Sequence, residues 1–249
     1  MPPHVRALYR SKLDAGLTPL TVQYIHAMLN RALKVAVNDG LIPSNACKAV
    51  SSPKVQREEM QYLSEEVSAF FEAAKEDRLE ALYIVAVTTG LRQGELLGLK
   101  WEDADLEAGK LSVQRTLSAA KNGSRFNSPK RNNSRRSVKL PAQAIEALTT
   151  HRERLLDERE KLAELWQDYG LIFASTIGTP LSRHNVFNRS FKPLLKKAGL
   201  PHTIRFHDLR HTCATLLCSR KVNPKVVQET LGHANIHQTR ISTRTCYPT

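Results

Sequence analysis

The chain has 249 residues, 41% of them hydrophobic and 24% charged, with a formal net charge of +13. That is enough apolar material for one or two packed domains, but it includes no run of about 18 apolar residues to span a membrane and no apolar stretch in MPPHVRALYRSKLDAG to act as a secretory leader. The charge favours a polyanionic partner, nucleic acid before a membrane surface; the four cysteines, Cys47, Cys213, Cys218 and Cys246, lack C-x-x-C spacing and read as reduced thiols of a cytoplasmic protein.

In chain order, PHVRALYRSKLDAG has helical spacing and stops at Gly16. TPLTVQYIHAMLNRALKVAVNDG predicts a long amphipathic helix, capped by Thr18 and ended by Gly40. Pro43 opens a short third helix, PSNACKAV. SSPKVQREEMQY has little to bury and reads as a linker. The expected organisation is a helical piece over 1–50, a linker over 51–60 and a second domain over 61–249. A piece of about 50 residues is marginal for an independent core, so it is expected to be a truncated part of a larger domain.

The second domain starts with a helix from Ser64. LEALYIVAVTTG follows, nearly all apolar and therefore central, broken at Gly90. RQGELLGLKW is another short helix. LSVQRTL and SRRSVKLP alternate and predict two strands joined by a basic loop rich in Asn, Gly and Ser. Then come the long helix PAQAIEALTTHRERLLDEREKL, a short strand LIFAS, and the helices HNVFNRSFKPLLKKAG, FHDLRHTCATLL and NPKVVQETLG. The fold class is mostly α with a small antiparallel β-sheet.

Charge is segregated along this order. Residues 108–145 hold nine Lys or Arg and no acid, and residues 183–249 hold twelve against Asp208 and Glu229. This predicts one basic face, with Lys121, Arg125, Arg131, Arg135 and Arg136 against phosphates, positioning nucleic acid without reading its sequence. A solvated basic loop is the plain alternative.

Four places set polar groups beside buried elements: Arg92, with Glu95 three residues on; Lys130 in the basic loop; His207 and Arg210 on one helical face; and His233 after Leu231-Gly232. Singly, each fits a helix-terminal ion pair or a satisfied histidine. Together, two Arg forks, a Lys and two His suit a phosphodiester whose negative charge grows during reaction. Arg donates in pairs to non-bridging oxygens, and Lys or His gives a proton to a departing oxygen. His207 and His211 lack a third metal ligand, and Asp103 and Asp105 fit a turn before the first strand, so no metal or other cofactor is expected.

TTGLRQGELLGLKWEDADL, SPKRNNSRRSVKLP, HDLRHTCATLL and LGHANI, in this order, resemble the tyrosine recombinase (phage-type integrase) family. The helices of 1–50 resemble part of that family's core-binding domain. The resemblance implies a two-domain clamp on double-stranded DNA attachment sites, and strand cleavage and rejoining through a 3′-phosphotyrosyl intermediate without metal. It also implies a homotetramer on DNA and an accessory directionality factor. By the same resemblance Arg92 and Arg210 bind the scissile phosphate, Lys130 is the general acid toward the leaving 5′ hydroxyl, and His207 and His233 supply proton transfer and phosphate hydrogen bonds. The other reading of the same basic surface is a non-catalytic DNA-binding protein, a decayed integrase or an accessory factor.

The family's nucleophilic tyrosine follows the Leu-Gly-His histidine by about nine or ten residues. Here those positions are Ser242 and Thr243, and the available tyrosine is Tyr247, fourteen residues past His233. Regrouping the codons of Arg240 through Thr249 by one base lets ISTRTCYPT spell Asp-Ile-Tyr-Ser-His-Val-Leu-Pro-Asn, which puts a tyrosine at the family's position. The reading frame is therefore expected to have slipped one base after about Ile236, leaving an aberrant tail and a displaced nucleophile.

Overall fold

The computed structural model describes residues 1–55, 63, 66–120, 123–127 and 136–232. The chain divides into two units, Met1–Glu59 and Met60–Thr249. Among the described residues no helix is long and apolar enough to cross a membrane.

The first unit holds α1 (Pro2–Asp14), α2 (Pro19–Asn38) and a 3₁₀ turn, Ala46–Ala49, where the sequence predicts a short α-helix. Thr18 caps α2 by accepting from the Thr21 amide, and Pro19 supplies a preset φ at the first helical position. Val5, Tyr9, Val22, Cys47 and Val50 form its buried cluster. The Tyr9 hydroxyl donates to His26 Nδ1 at 2.6 Å, and burial beside Cys47 pushes its phenol up to about 12. This core is small, and α2 also turns Tyr24, Met28 and Val35 outward.

The second unit is built round α4 (Glu80–Thr89), which buries Ala81, Leu82, Tyr83, Ile84, Val85, Ala86 and Val87. Helices α3 (Val67–Ala74), α6 (Ala142–Leu162) and α9 (Asp208–Ser219) pack against it. A helix apolar on all sides has to be enclosed, and this one is. After α5 (Gln93–Leu96), a three-stranded antiparallel sheet runs in the order β1 (Ala104–Asp105), β2 (Lys110–Val113), β5 (Arg136–Lys139), with Leu111 opposite Val138. The sequence joins β2 and β5 by a loop. The structure adds a separate hairpin between them, β3 (Thr116–Ala120) and β4 (Gly123–Asn127). Run LSVQRTL therefore breaks at Gln114-Arg115, where Arg115 forks onto Asp103 at 2.5 Å and Glu102 at 2.8 Å. LIFAS forms no strand: Ile172 and Phe173 are buried, but only the isolated bridges Lys100 to Leu171 and Ala174 to Pro180 form.

Arg183–Asn185 (α7), a π turn Val186–Phe191 and α8 (Lys192–Lys197) follow one another directly. Pro193 has no amide to donate back, so the hydrogen-bond ladder changes pitch just before it. α10 (Pro224–Leu231) ends at Gly232, whose φ of 64° is left-handed. The unit is mostly helical with small antiparallel sheets, as the sequence predicts.

Candidate active site

α4 ends at Gly90, with φ of 62°. Glycine is required there twice over: the left-handed φ disfavours a side chain, and a Cβ would lie 2.4 Å from Leu231 Cδ2 and 3.1 Å from Cys213 Sγ. The sharp stop brings Arg92 to the N-terminus of α5. There its backbone amide donates to Glu95 Oε2 at 2.9 Å and its Nη1 to Glu95 Oε1 at 2.8 Å. Arg92 Nη2 reaches the Gly232 carbonyl at 3.3 Å, and 44% of the side chain remains exposed.

Arg210 arrives from the first turn of α9. It is 4% exposed, and it donates from Nη1 to the Gly90 carbonyl at 2.6 Å and from Nη2 to the Leu231 carbonyl at 2.5 Å. Both carbonyls close helices, where the backbone dipole is negative. Burial, and then the charge of Arg92, pull this guanidinium down to about 9, so it stays cationic at neutral pH. Buried Asp208 holds the segment before α9 in place, accepting from the Arg205 amide at 2.8 Å and from Arg205 Nη2 at 2.9 Å.

His207 caps α9 and stays exposed; His211, one turn on, is half-buried. Their rings meet edge to face with centroids 5.1 Å apart. Desolvation, then the charges of Arg210, Arg205 and Arg92, holds His207 below its ordinary value despite Asp208. Burial, His207 and Arg210 bring His211 down to about 4. Both imidazoles are therefore neutral at neutral pH, each with one N–H donor and one acceptor nitrogen.

The sequence places Arg136 among the outward phosphate contacts. The structure turns it inward. Its side chain is 8% exposed, with Nη2 donating to Glu95 Oε2 at 2.9 Å, Nη1 to Glu95 Oε1 at 3.3 Å and Nε to the Thr230 carbonyl at 3.0 Å. The signal was available: Arg136 and Val138 are two apart on β5 and share a face, and Val138 is buried. Although burial opposes ionisation, the Arg136 and Arg92 contacts hold the Glu95 carboxyl below its ordinary value. Arg125 is exposed on β4. Lys121, Lys130, Arg131, Arg135, His233 and Tyr247 lie outside the described residues.

Arg183 escaped the sequence reading because its bond is non-local: Nη2 donates to the Leu117 carbonyl at 2.5 Å. A Cβ at Gly94 would lie 2.7 Å from Thr116 Oγ1 and 2.8 Å from the Leu117 carbonyl, so α5 sits hard against β3. Arg92, Arg136 and Arg210, from three distant stretches, thus surround one carboxylate and leave an excess of positive charge. Such a cluster is suited to an anionic ligand that accepts several N–H donors at once.

The profile of the phage integrase family matches residues 55–246. A tyrosine recombinase XerC-like protein of Caldanaerobacter subterraneus subsp. tengcongensis is 34% identical over 93% of this chain and 64% of its own length. An integrase of Streptomyces ambofaciens is 30% identical over 88% of this chain and 58% of its own. The chain thus spans about three fifths of the length of these relatives. Among solved structures, the Tn1549 transposon integrase in complex with transposon right end DNA superposes with a TM-score of 0.81 at 22% identity, covering 97% of this chain and 80% of that one. A λ integrase dimer bound to a COC′ core site gives 0.63 at 25% identity, covering 96% and 79%.

Proposed function

The chain belongs to the phage integrase family, and from that premise we propose that it is a site-specific DNA recombinase, cutting and rejoining strands through a 3′-phosphotyrosyl intermediate. The observation that carries this reading is the convergence of Arg92 and Arg210, from α5 and α9, at the helix ends marked by Gly90, Leu231 and Gly232.

In this mechanism the tyrosine oxygen attacks the scissile phosphorus, the phosphorus–oxygen bond to the 5′ carbon breaks, and the departing oxygen takes a proton. Arg92 and Arg210 stabilise the charge that accumulates on the non-bridging oxygens; in other sites one such donor is worth about 3–4 kcal/mol. Neutral His207 can accept the tyrosine proton or donate to phosphate. Lys130 is assigned as the acid, His233 as a further phosphate donor and Tyr247 as the nucleophile in the chain as it is translated. Rejoining reverses the steps, with a 5′ hydroxyl attacking the phosphotyrosine. Arg125, with Lys121, Arg131 and Arg135, is assigned to the duplex backbone.

The reading includes double-stranded attachment sites as substrate, a homotetramer on DNA, an accessory directionality factor, no metal requirement and action in the cytoplasm. Denaturing gels of the protein after incubation with a nicked attachment-site duplex test it. A protease-sensitive protein–DNA adduct, lost in Tyr247→Phe, is the expected result. Salt-sensitive binding with no adduct favours a non-catalytic DNA-binding protein.

A further inference from the structure

We propose that Arg136 is a positioning residue: by neutralising Glu95, it leaves Arg92 able to engage phosphate, and it does so without touching DNA itself. This rests on the recombinase reading above. All three guanidinium nitrogens of Arg136 point inward, two to Glu95 and one to the Thr230 carbonyl. The space around them is closed, since a Cβ on Gly232 would lie 2.8 Å from Nη1 and 2.9 Å from Cζ. Arg136 therefore fastens the start of β5 to the start of α5 and the end of α10.

Glu95 is the shared element. It is 7% exposed and takes donors from both Arg92 and Arg136. A buried carboxylate with a single cationic partner draws that partner fully onto itself, because the interior screens the attraction poorly. With Arg136 holding one side of the carboxylate, Arg92 makes only a partial commitment: Nη1 to Glu95, Nη2 at a long 3.3 Å from the Gly232 carbonyl, and nearly half its side chain in solvent.

Salt dependence of duplex binding tests this. Each phosphate contact contributes about 0.9 to the slope of log affinity against log salt. The full chain is titrated into a short fluorescent DNA duplex between about 50 and about 300 mM NaCl. The expected result is that Arg136→Gln and Arg92→Gln each lower the slope by about 0.9 and that combining them lowers it no further, because one contact is lost in every case. Adding Glu95→Gln to Arg136→Gln should restore the wild-type slope, since no carboxylate remains to capture Arg92. Arg136→Lys, which keeps a cation beside Glu95, should retain it as well.

A double variant that loses about twice the single slope overturns the proposal, because Arg136 would then itself contact phosphate. So does an unchanged slope in Arg136→Gln accompanied by a lower melting temperature, which marks a purely structural role. If Arg136→Gln alone does not fold, Glu95→Gln/Arg136→Gln, which buries no unpaired charge, decides. A wild-type slope in it supports the proposal, and a slope lower by about 0.9 overturns it. Salt-insensitive binding by the unaltered protein would instead defeat the recombinase reading, and this inference with it.

Discussion

Arg210 donates from Nη1 to the Gly90 carbonyl at 2.6 Å, tying the first turn of α9 to the residue that ends α4. The contact makes the buried guanidinium depend on how a neighbouring helix stops. Gly90→Ala should therefore damage both ends of it. The new methyl would meet Leu231 Cδ2 at 2.4 Å on a left-handed backbone, a combination costing about 2–3 kcal/mol. For a chain of this size that is a fall of roughly 4–12 °C in melting temperature, read by circular dichroism. A change of under about 1 °C would show that the contact yields easily.

Arg210→Lys keeps the charge but cannot reach the Gly90 and Leu231 carbonyls together, since a lysine is a single point of charge and not a fork. Covalent adduct formation should drop about 10²–10³-fold. Duplex binding at low salt should persist, because the other basic side chains remain. Gel assays of adduct and anisotropy assays of binding, run on the same preparation, separate the two.

Acid should weaken the fold in two stages. His211 is lowered from 6.5 to about 4 in the folded state, so between those values the unfolded chain binds more protons and stability falls as pH falls. Glu95 is also lowered, from 4.5; its contribution is complete above that value and is lost as pH drops through the folded-state value. Urea midpoints across pH 3 to 7 check this: His211→Asn should flatten the upper stage, and Glu95→Gln the lower one.

The tail offers a direct test in the coding DNA. Bases encoding Arg240 through Thr249 should regroup, one position over, into the tyrosine-containing stretch. A gene corrected to that frame should form adduct more readily than the present chain, because a nucleophile displaced by about 1 Å can cost about 100-fold. Third bases that cannot give the alternative reading refute the slip.

Caps, glycine stops and apolar periodicity made most helices legible. Thr18, Gly40 and Gly90 act locally, and the all-apolar α4 could only be central. The strand pair β2–β5 was legible for the same reason, since alternation in LSV and SVK needs no distant partner. The hairpin β3–β4 was not, because the break at Arg115 is set by its fork onto Asp103, twelve residues away. At the site, the chain positions of Arg92, His207 and Arg210 stood out by residue type. Their hydrogen-bond partners did not: Gly90, Leu231 and Gly232 contribute carbonyls, which carry no signature in a sequence. Arg136 was misplaced because a run of basic residues masked the two-residue alternation that turns it inward.

The π turn at Val186–Phe191 holds more chain per revolution than the helices on either side of it. Excising a single residue there would let the segment wind as ordinary α-helix, but it would also rotate everything downstream by about 100°. Leu194 and Leu195, now 5% and 0% exposed, would swing out of the core, and the positively charged Lys196 and Lys197 would turn toward it. A deletion that looks conservative for helix continuity is therefore the more damaging kind, and the irregular turn works as a phase setter for the apolar face that follows.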